Sequence, residues 1–305
     1  MKVNANGLQF EVEINDPVGV DATRETPTVL LIMGLGMQLI AWPSAFVNAL
    51  TRAGFRVVRL DNRDIGLSHH TDTAIPNLMW MALKHRVRLS VTAAYTLRDM
   101  VEDTRGVLDA LNIARVHVIG VSMGGMIAQG LASHHPSRVA TLTSIMSTTG
   151  ARGLPQATAK AAMALLARPK SRLREDVLNH FVRVFSVIGS PKFPMPEGDL
   201  RQRIADAFDR SFYPAGTIKQ MAAIMASGDR SEEVRRITVP TLVLHGRDDP
   251  LVPLKHGEDT AKKIAGSQHT VIDGMGHDLG ALAEVTARIL PFLQQHTFLK
   301  PVSAL

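Results

Sequence analysis

Apolar positions recur along this chain in two rhythms. Residues 8–14 alternate, with Leu8, Phe10, Val12 and Ile14 on one parity, which predicts a half-buried strand in an N-terminal antiparallel hairpin. Residues 28–33 are a continuous apolar run and predict a strand covered on both faces. Residues 56–60, 116–119, 139–146, 239–245 and 270–273 predict further strands. Between them lie helical spacings over 43–53, 96–111 and 125–132. The second of these opens with Thr96-x-x-Asp99, a variant of the capping box. Strands that alternate with helices predict right-handed crossovers and a mainly parallel sheet of eight strands in an α/β fold.

One segment breaks the alternation. Residues 151–236 contain helical patterns but no good strand, so they are expected to form a helical cap inserted into a core made of residues 1–150 and 237–305. Its Met163, Leu165, Leu166, Phe181, Phe185 and Phe208 are expected to fill mostly the cap's own core, a few reaching a substrate pocket. A second unusual stretch, residues 78–88, joins Trp80 and its apolar neighbours to Lys84-His85-Arg86-Val87-Arg88. It reads as a basic amphipathic helix packed against the cap, with a lipid or dimer contact as the alternative.

Composition narrows the functional classes. Cysteine is absent, which excludes disulfides, thiolate catalysis and cysteine metal sites. The formal net charge is +6, but the basic residues are scattered apart from residues 84–88 and no nucleic-acid motif accompanies them. A nucleic-acid partner is therefore not expected. No apolar run reaches the ~18 residues of a membrane span, and residues 1–7 lack the apolar core of a signal peptide, so a cytoplasmic protein without membrane contact is expected. Whether the chain forms a homodimer is left open.

The sharpest chemical signal is Gly120-Val121-Ser122-Met123-Gly124, set between a buried strand and a buried helix. Strand, G-x-S-x-G and helix form a nucleophile elbow, in which a reversal too sharp for large side chains pushes the serine hydroxyl out above the sheet. The N–H of Met123 then points to where a carbonyl oxygen would become negative. A serine nucleophile needs a base, and the base an orienting acid. In parallel sheets such groups sit just past the carboxyl ends of strands. Asp248 and Asp249 follow the strand at 239–245, and His277 follows the strand at 270–273. His117 and His245 lie inside strand patterns and read as core residues; His134 and His135 suit a helix end. His69 and His70 are expected to face water, as are His180, His256 and His296 on helical faces. No histidine pair has metal spacing with a carboxylate, so a zinc site is not expected.

Elbow, acid and histidine in this order resemble the α/β-hydrolase superfamily, over residues 10–146 and 239–293. Leu31-Ile32-Met33-Gly34, Ala41-Trp42-Pro43 and residues 60–68 are most similar to bacterial esterases related to anthracycline methyl esterases and 3-oxoadipate enol-lactonases. The resemblance implies a cofactor-free serine hydrolase, and the expected substrate is a small or medium apolar carboxylic ester, with methyl esters and lactones among the candidates. It implies Asp249 rather than Asp248 as the acid, since Gly246, Asp249 and Pro253 fit the family's G-x-x-D-x-x-x-P. It also implies the N–H of Leu35 as the second oxyanion donor, although Met33-Gly34 stands where many relatives have His-Gly. Arg63 and Asp64 are expected to pair beside that loop. Hydrolysis of a C–C bond or thioester by the same triad is the alternative, and a non-catalytic binding protein is the alternative from another class.

Overall fold

A computed structural model describes residues 1–19, 23, 25–86 and 91–297. Its centre is an eight-stranded sheet in the order β1-β2-β4-β3-β5-β6-β7-β8. The strands are β1 (Lys2–Ala5), β2 (Leu8–Asn15), β3 (Thr28–Ile32), β4 (Arg56–Leu60), β5 (Val116–Val121), β6 (Val139–Ile145), β7 (Thr241–Gly246) and β8 (Gln268–Ile272). β1 and β2 are antiparallel, as β2 and β4 are, and every other pairing is parallel. The tight turn from β1 to β2 is Asn6-Gly7, both at positive φ (49° and 74°), the backbone that a two-residue hairpin demands.

The alternation of side chains along a strand divides the core in two. Leu30 and Ile32 of β3 face one layer, with α3 (Leu97–Ala110) and α4 (Met123–His134) packed over them. Val29 and Leu31 face the other, under α1 (Ser44–Arg52) and α11 (Leu282–Gln295). All four are fully buried, and each contributes about 1.5–3 kcal/mol relative to an exposed side chain. α3 starts as its sequence predicts: Asp99 accepts the Thr96 N–H at 2.7 Å and Thr96 Oγ1 accepts the Asp99 N–H.

One helix before α3 stands outside this layering, and one after β7 adds to it. α2 (Leu78–Arg86) packs on the insertion through its buried Met81 and turns Met79 and Trp80 outward, with Lys84 Nζ 5.7 Å from the Trp80 ring centre. Residues 87 and 88 of the basic stretch lie outside the described residues. α10 (Lys255–Lys263) lies against β7 and β8.

Between β6 and β7 the chain forms α5 (Ala159–Leu166), α6 (Arg174–Ile188), α7 (Glu197–Arg210), α8 (Pro214–Ser227) and α9 (Ser231–Arg235). α6 and α7 share a small core of Leu178, Val182, Ile204 and Ala205, with Phe185 and Phe208 packed on it. Met163, Leu165 and Leu166 do not join a core: all three are exposed, because α5 is short and buries only Ala161. Phe181 is likewise on the surface. No helix among the described residues is long and apolar enough to cross a membrane.

Candidate active site

Ser122 sits between β5 and α4 with φ 53° and ψ −117°, a strained backbone for a residue with a side chain. Its neighbours explain how the turn closes. A Cβ on Gly120 would lie 2.1 Å from the Gly124 carbonyl oxygen, and one on Gly124 would lie 2.1 Å from the Ile32 carbonyl oxygen. Only glycine permits these approaches. The turn is held from behind by the Ser122 N–H, which donates to Ile145 O at 2.9 Å, and by the Ser147 hydroxyl, which donates to Ser122 O at 2.8 Å.

The loops after β7 and β8 bring two side chains to this serine. His277 Nε2 is 3.0 Å from Ser122 Oγ, and His277 Nδ1 is 2.7 Å from Asp249 Oδ2. The other Asp249 oxygen accepts the N–H groups of Leu251 (2.9 Å) and Val252 (2.8 Å). The carboxylate side chain is out of contact with solvent and ringed by donors. With Nδ1–H given to Asp249, Nε2 presents a lone pair to the serine hydroxyl. Asp248, by contrast, is exposed and caps the Gly274 N–H at 2.8 Å.

His245 lies close behind Asp249, with Nε2 3.6 Å from Oδ2, but gives that N–H to the Val252 carbonyl at 2.7 Å. Burial pushes the pKa of His245 down, so it stays neutral beside the carboxylate. A Cβ on Gly257 would strike its ring, which leaves the ring no room to turn.

The loop after β3 approaches the serine from the opposite side. A Cβ on Gly34 would lie 3.3 Å from Ser122 Cβ, so the Leu35 N–H follows directly on the residue that packs beside Ser122. The Met123 N–H opens α4, where the first N–H groups of a helix lack intrahelical acceptors. The loop is not fixed by the expected Arg63–Asp64 pair. Arg63 instead forms a two-pronged, largely buried ion pair with Asp103 of α3, both contacts at 2.5 Å. Asp64 accepts from the Thr71 N–H at 2.7 Å and the Thr71 hydroxyl at 2.8 Å, with Lys219 Nζ 3.9 Å away. Adjacent residues on a turn point apart, so each finds a partner distant in sequence.

The groups that do hold the loop come from the insertion. Gln220 of α8, fully buried, accepts the Gly36 N–H at 2.9 Å and donates to Arg63 O at 2.8 Å. Asp61 accepts the Leu39 N–H at 2.7 Å and pairs with Arg210 of α7 at 2.7 Å. On the histidine side, the His277 N–H donates to Ile188 O at 2.7 Å, the Gly276 N–H to Ser190 Oγ at 3.0 Å, and Ser190 Oγ to Asp278. None of these had a local signal, since each joins residues far apart in the chain. Two other histidine expectations change with the packing: His180 lies on the buried face of α6, and His256 bridges Thr148 Oγ1 at 2.7 Å and Pro155 O at 2.8 Å. His69 and His70 are exposed, His70 stacking on Tyr213 with ring centres 3.9 Å apart.

This geometry has clear relatives. The chain is 26% identical to rhodomycin D methylesterase DauP of Streptomyces sp. over 280 residues, 86% of this chain and 88% of that one. It is 28% identical to the 2-hydroxy-6-oxononadienedioate/2-hydroxy-6-oxononatrienedioate hydrolase of Cupriavidus pinatubonensis, covering 90% of this chain and 87% of that one. Among solved structures, the enol-lactonase of Burkholderia xenovorans LB400 superposes with a TM-score of 0.72 at 23% identity, over 96% of this chain and all of that one. The sequence model of the alpha/beta hydrolase fold matches residues 27–281, from the loop before β3 to the start of α11, and the chain belongs to that family.

Proposed function

We propose that the chain is a serine hydrolase of carboxylic esters, with Ser122, His277 and Asp249 as its catalytic triad. The observation that carries this reading is the unbroken hydrogen-bond path from Ser122 Oγ through both imidazole nitrogens to a buried carboxylate. In this reading Ser122 attacks the carbonyl carbon while His277 Nε2 takes its proton. Asp249 keeps the imidazole in the required tautomer and stabilises the imidazolium. The N–H groups of Leu35 and Met123 receive the oxyanion. His277 then protonates the leaving alcohol, and water repeats the sequence on the acyl-enzyme to release the acid. No cofactor takes part. The helical insertion of residues 151–236 acts as the cap that shapes the substrate site, and the substrate is a small or medium apolar ester, handled in the cytoplasm. The similarity to a methylesterase favours an ester over other bonds.

The experiment is hydrolysis of p-nitrophenyl esters of increasing acyl length, with Ser122→Ala alongside. Turnover is expected in the parent, and a loss of about a million-fold in kcat in the variant at unchanged melting temperature. Ester turnover by Ser122→Ala would refute the assignment. A second reading keeps the triad and changes the bond to a C–C or thioester linkage; the similarity to the 2-hydroxy-6-oxononadienedioate hydrolase favours keeping it. It predicts labelling of Ser122 by a fluorophosphonate with no turnover of simple esters. Neither labelling nor turnover would mark a binding protein.

A further inference from the structure

The segment formed by α5 and the turn into α6 combines two features that a water-facing surface rarely holds together. Met163 and Leu166 of α5 are 71% and 80% exposed, and Leu173 in the turn is 71% exposed. Bulky aliphatic groups clustered in water mark a contact surface. Interleaved with them are Lys160, Arg168, Lys170 and Arg172, all exposed, and no acidic residue occurs from 151 to 174. Among the described residues none of these four cations has a carboxylate partner, whereas the next one, Arg174, is paired with Asp209 at 2.8 Å. The apolar groups need to leave water and the cations need anions. The boundary between headgroups and acyl chains of an anionic bilayer satisfies both.

The patch also borders the candidate active site. The inner face of α5 places Ala161 against Ile188, whose carbonyl accepts the His277 N–H. At its start, the Thr158 N–H donates at 2.8 Å to the carbonyl of Pro250, the residue after Asp249.

We propose that residues 160–174 dock the protein on an anionic lipid bilayer, Met163, Leu166 and Leu173 entering the boundary and the four cations lying on the headgroups. The Ser122 site is thereby held at a lipid surface. This docking does not depend on which bond Ser122 attacks. The expectation of no membrane contact rests on the lack of a span and of a signal peptide; docking through a surface cluster needs neither a span nor a signal peptide.

The test is co-sedimentation of the full chain with vesicles of phosphatidylcholine alone and of phosphatidylcholine with an equal part of phosphatidylglycerol, at low salt. Sedimentation with the anionic vesicles and not the neutral ones is expected. Each cation near such a surface contributes about fivefold to partitioning, so R168E/K170E/R172E, which loses three cations and adds three anions, is expected to lower it by more than about a hundredfold. M163D/L166D is expected to lower it at least ~10-fold by removing the inserted side chains. Both variants change only exposed residues, and their melting temperatures and turnover of a short soluble ester are expected to match the parent. Three results would overturn the proposal: no sedimentation with anionic vesicles, sedimentation that neither variant reduces, or a dimer in solution that M163D/L166D dissolves while vesicles go unbound. The last would assign the patch to a second copy of the chain.

Discussion

Asp249 gathers three donors on its two oxygens, two backbone N–H groups and the imidazole of His277. An amide in its place can still accept, but it can also present an N–H to His277 and so favour the wrong tautomer. Asp249→Asn is therefore expected to lower kcat about ten-thousand-fold while the protein stays folded, measured as single-variant ester kinetics with a melting curve. Gly124 is constrained by space and not by charge. A methyl there would sit 2.1 Å from the Ile32 carbonyl, on backbone that cannot swing aside. Gly124→Ala is expected to destabilise by about 3 kcal/mol or more in urea unfolding and to displace Ser122. Position in the sequence was enough to single out Ser122 and His277 as candidates, because glycine spacing and strand ends are local features. Choosing Asp249 over Asp248 needed the family spacing. In the structure the difference is one of direction: Asp248 turns to the surface to cap Gly274, and Asp249 turns inward to the imidazole.

At the scale of elements, the two loops that flank Ser122 are each fastened to the helical insertion. Gln220 in α8 satisfies Gly36 N–H and Arg63 O, and Ser190, just past α6, satisfies Gly276 N–H. Removing the Gln220 amide leaves two half-buried backbone groups without their protein partner, at about 1 kcal/mol each, the low end of the cost for a buried group. Gln220→Ala is expected to lower the unfolding free energy by that order and to reduce kcat more than it changes KM, because Gly36 adjoins the Leu35 N–H, the proposed oxyanion donor. A raised KM with kcat unchanged would show that the loop only binds substrate. Neither tether was legible. Gln220 lies 184 residues from Gly36, and a buried glutamine in a helical segment carries no mark of its partner. The elements themselves were largely legible, since buried parallel strands are continuous apolar runs and α3 carries its own capping box. The exception is α5, where apolar residues at helical spacing suggested burial. A helix of eight residues with one inward alanine has too little neighbouring surface to cover them.

Across the whole molecule, buried histidines set the response to acid. His117 of β5 is enclosed in the sheet, bonded to Thr141 Oγ1 and Thr297 Oγ1, both at 2.9 Å. Burial holds its pKa down to about 4, from 6.5 when free. The unfolded chain thus binds a proton that the folded one refuses. The stability from neutral His117 is complete above pH ~6.5 and is lost progressively as the pH falls toward ~4, by roughly 3 kcal/mol in all. His245 is shifted in the same direction by its burial. Urea unfolding followed from pH 7 to 4 is expected to show this decline, and His117→Gln, which keeps a polar side chain but cannot be protonated, is expected to flatten it. A parent and variant with the same slope would place the acid sensitivity elsewhere.

The sequence by itself determined the alternation of strands and helices, the small residues of the elbow and the placing of a serine, two aspartates and a histidine at strand ends. All of these depend on neighbours within a few residues, through side-chain periodicity and backbone sterics. Only the tertiary structure decided that Arg63 pairs with Asp103, and that Gln220 and Ser190 fasten the two loops. It also decided that Met163 and Leu166 face water. Those outcomes depend on which distant surfaces meet, and a hydrogen bond or a buried face is defined by its partner, which no local pattern encodes.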